Sequence, residues 1–315
     1  MRGVVEAGRD PCRTFADHVV YPTIFQHGPH PMTVVTRFAP SPTGLLHLGH
    51  VHAALVAWGA ARIGGGRFLL RIEDIDLGRC KPEFEEAIYR DLEWLGLEWE
   101  SPVRRQSDHF DDYAEALGRL ADMSLLYPCF CTRAEIRAEI ERSAGAPHQP
   151  GDGPEGPIYP GICRRLEPAE RQRRIDRGEP HALRLDVVRA RRLAGDLTWT
   201  DRLRGEQVAT PEIFGDVVLA RKDVPTSYHL AVTVDDALQG VTLVTRGDDL
   251  LFASHIHRLL QALLGMATPD YHHHELITDP EGNRLSKRDK SITIDALRAA
   301  GKSAGEVIGM AGFGE

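Results

Sequence analysis

The chain has 315 residues, 42% of them apolar and 27% charged, with a formal net charge of −8. That is enough apolar mass for one large domain or two small ones, and it excludes a disordered or fibrous chain. No apolar run approaches the about 18 residues of a membrane span, and residues 1–32 lack the apolar centre of a secretory signal, so a cytoplasmic protein with no membrane partner is expected.

In chain order, residues 1–32 carry Pro11, Pro22, Pro29 and Pro31 without sustained periodicity and read as a poorly ordered extension; Met32 offers an alternative start directly before the first strand. A strand at 33–38, a turn, an alanine-rich helix at 48–63 and a strand at 67–72 then make a βαβ unit. Residues 83–96 and 108–126 read as helices, and 143–161 as a Gly/Pro-rich loop. Runs at 182–188, 217–221, 229–234 and 241–245 read as short strands, and 248–264 as an amphipathic helix. There is no internal repeat. The pattern predicts an α/β fold.

Within the first unit, RFAPSPTGLLHLGH (37–50) is a glycine-bearing turn from a strand into a helix N-terminus, where free N–H groups and the helix dipole favour phosphate. It is neither the Walker pattern nor GxGxxG. His47 and His50, three residues apart, can face one ligand, and Gly49 leaves room for a flat ring. Near the other end, NRLSKRDKS (283–291) carries Arg284, Lys287, Arg288 and Lys290 after the strand-like HHHELI, placing positive charge where a triphosphate could be held.

Five cysteines are too few and too unevenly spaced for a disulfide framework. Cys129 and Cys131 in CFC, with Tyr159 and Cys163 in YPGIC, could supply three thiolates and a phenolate to a closed tetrahedral zinc shell, or could be plain buried thiols. Between Arg164 and Arg192 stand ten arginines against five acidic residues, a solvated helical surface or a patch facing a polyanion.

Taken together, RFAPSPTGLLHLGH resembles the HIGH signature and RLSKR the KMSKS signature of class I aminoacyl-tRNA synthetases, and RIEDID (71–76) is similar to the glutamyl/glutaminyl branch. The loop departs from the signature at Arg284, Leu285 and Arg288 but keeps Ser286 and Lys287, and arginine still neutralises phosphate. Over roughly residues 33–295 the resemblance implies a Rossmann-type catalytic domain in two halves, 33–126 and 186–275, around a small zinc-containing, acceptor-type insert at 127–185. The KMSKS-like loop and a short C-terminal segment fill 276–315. ATP, with Mg2+, is implied at His47, Gly49, His50, Arg284, Ser286 and Lys287, with His47, His50 and Lys287 catalytic. L-glutamate is implied at Arg37, Ser41, Glu73, Tyr228 and Arg246, with Glu73 meeting the ammonium; the residues alone would equally allow an Arg37–Glu73 salt bridge and a core tyrosine. The resemblance also implies one structural Zn2+ on Cys129, Cys131, Tyr159 and Cys163, although the connection 132–158 is long.

About 27 residues follow the loop signature, so no anticodon-binding domain is expected. The chain thus resembles the truncated members of the branch, which activate glutamate without tRNA and pass it to the queuosine base at the wobble position of tRNA(Asp), working as monomers. The alternatives are an ordinary or fragmentary synthetase charging tRNA(Glu), and a non-catalytic binding paralogue. Joint retention of His47, His50, Lys287 and the pocket set argues against the last.

Overall fold

Side-chain alternation decides how the first unit packs. β1 (Val35–Phe38) and β2 (Arg67–Ile72) pair in parallel around the crossover helix α1 (Leu48–Ile63), with Arg37 opposite Leu69. Phe68, Leu70 and Ile72 point to one face, against α1; Leu69 and Arg71 point to the other. Both faces of β2 are therefore covered, which is why RFLLRI reads as a nearly unbroken apolar run. α1 is buried on all sides between Val51 and Ala61 except at His52 and Ala53, and its small residues let it lie close to the sheet. At its end the chain returns so tightly that a Cβ on Gly66 would sit 1.8 Å from the Val34 carbonyl oxygen.

The computed structural model describes residues 33–143, 152–277 and 293–313. The predicted extension 1–32, residues 144–151 of the Gly/Pro-rich loop and the whole 283–291 signature lie outside the described residues. After β2 come α2 (Pro82–Trp94), β3 (Glu100–Arg105) and α3 (Phe110–Asp122). The next stretch holds β4 (Leu126–Cys129), α4 (Arg133–Ser143), the short pair β5 (Asp152–Gly153) and β6 (Gly156–Pro157), α5 (Pro168–Asp176), β7 (Ala182–Leu185) and α6 (Val187–Ala194). Then follow β8 (Thr198–Asp201), β9 (Gly205–Val208), β10 (Val218–Ala220), α7 (Tyr228–Leu238), β11 (Leu243–Gly247), α8 (Ala253–Leu264), β12 (Asp270–His274), α9 (Ile294–Ala299) and α10 (Ala304–Ile308).

β1, β2 and β3 form one parallel set in the order β1-β2-β3; β11, β12 and β8 form another, closed by antiparallel β9. The two sets meet at β1 and β11, where the Thr242 N–H donates to the Val35 carbonyl (3.0 Å) and the Val35 N–H donates to the Thr242 hydroxyl (2.9 Å). From that junction β1 runs on into α1, which packs on one face, and β11 into α8, whose Ile256, Leu259 and Leu260 join the core on the other. The junction is a topological switch point, and in open α/β sheets ligands bind at such a point, beyond the carboxyl ends of the strands. β4, β7 and β10 form a separate antiparallel sheet.

Two stretches depart from their sequence reading. Residues 187–188, expected to end a strand, open α6 instead. Residues 229–234, expected as a strand, form the middle of α7. HLAVTV is buried almost throughout, and a continuous apolar run carries no periodicity to separate a buried helix from a buried strand.

Candidate active site

At the head of α1, His47 is the N-cap residue and its Nδ1 accepts from the Gly49 N–H at 3.2 Å. His50 Nδ1 accepts in return from the His47 N–H at 3.2 Å, and the two ring centroids lie 3.9 Å apart. An Nδ1 that accepts leaves the neutral ring's proton on Nε2, so both histidines carry their donors on the edge away from the cap. A Cβ on Gly49 would come 3.1 Å from His47 Cε1, so the cap itself accounts for that glycine. Beyond residues 278–292 the chain returns to this turn: the Ile294 N–H donates to the Leu46 carbonyl (2.9 Å), and Thr293 bridges His47. Arg284, Ser286 and Lys287 lie outside the described residues.

A cavity of about 860 Å³ opens beside the turn, with Ser41, Glu73 and Tyr228 on one wall and Tyr159 and Arg184 on the other. Arg37 and Arg246 are buried behind the first wall. Period-two alternation brings Arg37 of β1 and Arg71 of β2 onto the same face, under the C-terminal turn of α7, where Asp235 and Asp236 wait. Asp236 accepts from Arg37 Nε (2.9 Å) and Arg71 Nη1 (2.8 Å); Glu73 accepts from Arg71 Nη2 (3.1 Å). Arg37 and Glu73 are thus not each other's partner. Burial pushes the Asp236 carboxyl up, but Arg37 and Arg71 outweigh it and hold it below the usual range. At Glu73 burial prevails over Arg71 and Arg37, and the carboxyl is raised. Asp235, against the same unfavourable helix end, accepts from Arg104 Nε (2.7 Å), Gln106 Nε2 (2.7 Å) and the Tyr113 hydroxyl (3.0 Å).

Arg246 is held differently. Its Nε–H donates to His273 Nε2 (3.0 Å), Nη1 to Tyr228 Oη (3.4 Å) and His257 Nδ1 (3.2 Å), and Nη2 to Ser254 Oγ (2.7 Å). Behind His273 stands Asp201, 2.7 Å from Nδ1; behind His257 stands His229, whose Nε2 is 3.2 Å from Glu155 in the β5–β6 hairpin. Burial, reinforced by Arg246, pushes His257 well below the usual imidazole value, so it is neutral. Asp236, Arg71, Asp201, His257 and His273 were missed by motif reading. The available signals were an arginine inside the β2 apolar run and a paired VDD at the end of a buried segment.

The cysteines come together as the spacing suggested. Cys129 at the end of β4, Cys131 just beyond it and Cys163 at the start of a short 3-10 helix after the β5–β6 hairpin have their sulfurs all within 4.8 Å of one another, and Cys131 Sγ is 3.3 Å from Cys163 Sγ. Tyr159 Oη lies 3.4 Å from Cys129 Sγ and 3.6 Å from Cys131 Sγ. A tetrahedral ion with Zn–S bonds of about 2.3 Å needs donors at about this mutual spacing, so the residues fit zinc. The hydrogen bond shared by Cys129 and Cys163 holds the Cys163 thiol below its ordinary value, with the Phe130 amide adding to this, and pushes the Cys129 thiol above it. Arg184 lies 3.9 Å over the Tyr159 ring, adding positive charge beside the sulfurs. Several arginines of the rich stretch are already paired, Arg173 with Glu170, Arg174 with Glu179 and Arg191 with Asp196 locally, and Arg164 with the distant Asp216.

The profile of the tRNA synthetases class I (E and Q), catalytic domain, matches residues 33–308. The chain belongs to this family. Within it, the class I synthetase described here is similar to a glutamyl-Q tRNA(Asp) synthetase of Rhodobacter capsulatus, with 47% identity over 87% of this chain and 98% of that one. A glutamyl-Q tRNA(Asp) synthetase of Symbiobacterium thermophilum is 44% identical over 87% of this chain and 84% of its own length. Among solved structures, a glutamate tRNA ligase of Elizabethkingia meningosepticum in complex with its amino acid gives a TM-score of 0.67 at 32% identity, covering 82% of this chain and 52% of that one. The class I synthetase catalytic domain and its α/β fold account for the switch-point site. Among the described residues, no helix is long and apolar enough to cross a membrane.

Proposed function

We propose that this class I synthetase activates L-glutamate with ATP to glutamyl-adenylate, without RNA, and transfers the glutamyl group to the queuosine base at the wobble position of tRNA(Asp). The observation that carries the reading is the 47% identity to the Rhodobacter capsulatus glutamyl-Q tRNA(Asp) synthetase along 98% of that protein. In the first step a carboxylate oxygen of glutamate attacks the α-phosphorus of ATP and pyrophosphate leaves. The Nε2–H groups of His47 and His50, at the positive end of α1, donate to phosphate oxygens, and Gly49 lets the nucleotide approach. Arg284, Ser286 and Lys287 take the charge of the leaving pyrophosphate, with Mg2+ accompanying the nucleotide. Glu73 receives the substrate ammonium, Arg37 and Arg246 face its carboxylates, and Ser41 and Tyr228 orient it. In the second step a hydroxyl of the queuosine cyclopentene ring attacks the activated carbonyl and AMP leaves, a reaction that asks for positioning more than for acid–base groups.

Cys129, Cys131, Tyr159 and Cys163 hold one structural Zn2+, whose contribution is to fix the insert that forms the far wall of the cavity. The protein works in the cytoplasm as a monomer. Glutamate-dependent exchange of pyrophosphate into ATP with no RNA present tests the reading. Robust exchange is expected; exchange that appears only when tRNA(Glu) is added overturns it in favour of an ordinary synthetase, and no exchange under either condition marks a non-catalytic paralogue.

A further inference from the structure

Arg246 is buried, yet none of its described hydrogen-bond partners is a carboxylate: they are two imidazoles, a serine and a tyrosine. Arg37, a neighbour on the same side of the sheet, has its charge met by Asp236 at 2.9 Å. A guanidinium ringed by neutral acceptors is fixed in orientation while its charge stays available to an incoming anion. An imidazole serves as such an acceptor only in one tautomer, and the structure shows what selects it. Asp201 Oδ2 accepts from the His273 ring Nδ1 (2.7 Å) and from the His273 backbone N–H (3.2 Å), while Oδ1 accepts from the Leu203 (2.9 Å) and Arg204 (3.1 Å) N–H groups. With both oxygens committed to donors, Asp201 can only accept, which keeps the His273 proton on Nδ1 and leaves Nε2 to accept from Arg246.

We propose that His273, locked by Asp201, is a positioning residue that holds Arg246 as the receptor for a carboxylate of the bound amino acid. The proposal rests on the glutamate reading of the site. It places at Asp201 and His273, on neighbouring strands β8 and β12, a determinant of substrate affinity that touches no substrate atom.

The test measures glutamate and ATP KM in pyrophosphate exchange, and glutamate Kd by calorimetry, for wild type, H273L, H273Q and S254A. H273L removes the acceptor; H273Q restores one where the imidazole Nε2 stands. We expect H273L to raise glutamate Kd about tenfold or more, as loss of a hydrogen bond to a charged group does, with ATP KM unchanged. H273Q recovers most of the loss, which a merely structural role would not produce. Glutamate affinity unaltered in H273L, or H273Q as weak as H273L, overturns the proposal. Should H273L fail to fold, S254A takes its place: it deletes the Nη2 acceptor, a weakened glutamate Kd at constant ATP KM is expected, and an unchanged Kd overturns the proposal. Wild-type protein with neither exchange nor glutamate binding removes the glutamate reading and the positioning role with it, an outcome seen before any variant is compared.

Discussion

Replacing Asp236 by Asn keeps the shape of the residue and removes one charge from a site holding two buried guanidiniums. Side-chain exposure is 5% at Arg37, 9% at Asp236 and 0% at Arg71, so water cannot substitute for the lost carboxylate. The two arginines are not equally affected. Arg71 keeps Glu73 at 3.1 Å and Asp235 at 3.8 Å, whereas Arg37 is left with the Thr245 carbonyl at 3.1 Å. The cost therefore falls on Arg37, and breaking a buried pair in this way costs about 3–5 kcal/mol, with the lower end expected because the Asn oxygen still accepts. Urea unfolding should show the midpoint lowered with m unchanged, and thermal unfolding a Tm lower by roughly 5 °C for a chain of this length. The pH dependence has a definite sign. The folded carboxyl is held below its ordinary value, so its stabilisation is full above the unfolded value of about 4 and lost as pH falls through the depressed folded value. Wild type and D236N should accordingly converge only in acid. A loss below about 1 kcal/mol at neutral pH would mean that the site is hydrated and the burial argument wrong.

His47→Asn separates capping from chemistry, because the Asn oxygen can still accept from the Gly49 N–H while the Nε2 donor is gone. Stability should stay within about 1 kcal/mol and exchange should fall at least about 100-fold; an unaltered rate would place the phosphate elsewhere. In Glu73→Gln the ammonium partner is lost and glutamate Kd should rise about tenfold or more. Because burial raises the Glu73 carboxyl, wild-type affinity should decline on acidification at a higher pH than an ordinary carboxylate would give, and E73Q should lack that decline. Parallel pH profiles for the two proteins would refute the assignment. Cys131→Ser should lower zinc content, measured by elemental analysis, from one per chain toward zero; zinc retained in full would exclude the three-sulfur site.

How far the sequence could be read depended on how local the signal was. The turn from β1 into α1 was legible because its glycines, histidines and flanking periodicities lie within about thirty residues, and the helix bounds 48–63 and strand bounds 67–72 agree with α1 and β2. The grouping of Cys129, Cys131 and Cys163 was legible because CFC and YPGIC are short, cysteine-bearing stretches in a chain with few cysteines. α7 was misread because burial on all sides removes the amphipathic stripe. Its misreading hid the most consequential residues, since Asp235 and Asp236 meet Arg71 and Arg104 only when the segment is a helix crossing the sheet. α5, inside the arginine-rich stretch, was not assigned, and the first two residues of α6 were read as the end of a strand, since charge dominates the composition of both helices. The Asp201–His273–Arg246 chain joins residues up to 72 positions apart and follows from strand order, which no single segment encodes.

The most direct test of the account follows labelled glutamate onto RNA. Purified protein, ATP and labelled glutamate are incubated with tRNA(Asp) containing queuosine, with the same tRNA lacking queuosine, and with tRNA(Glu), and the labelled nucleotide is mapped by nuclease digestion. The account predicts label on the queuosine-containing tRNA(Asp) alone, in the fragment bearing the wobble position. Label at the 3′ end of tRNA(Glu), or equal labelling of tRNA(Asp) with and without queuosine, would contradict it.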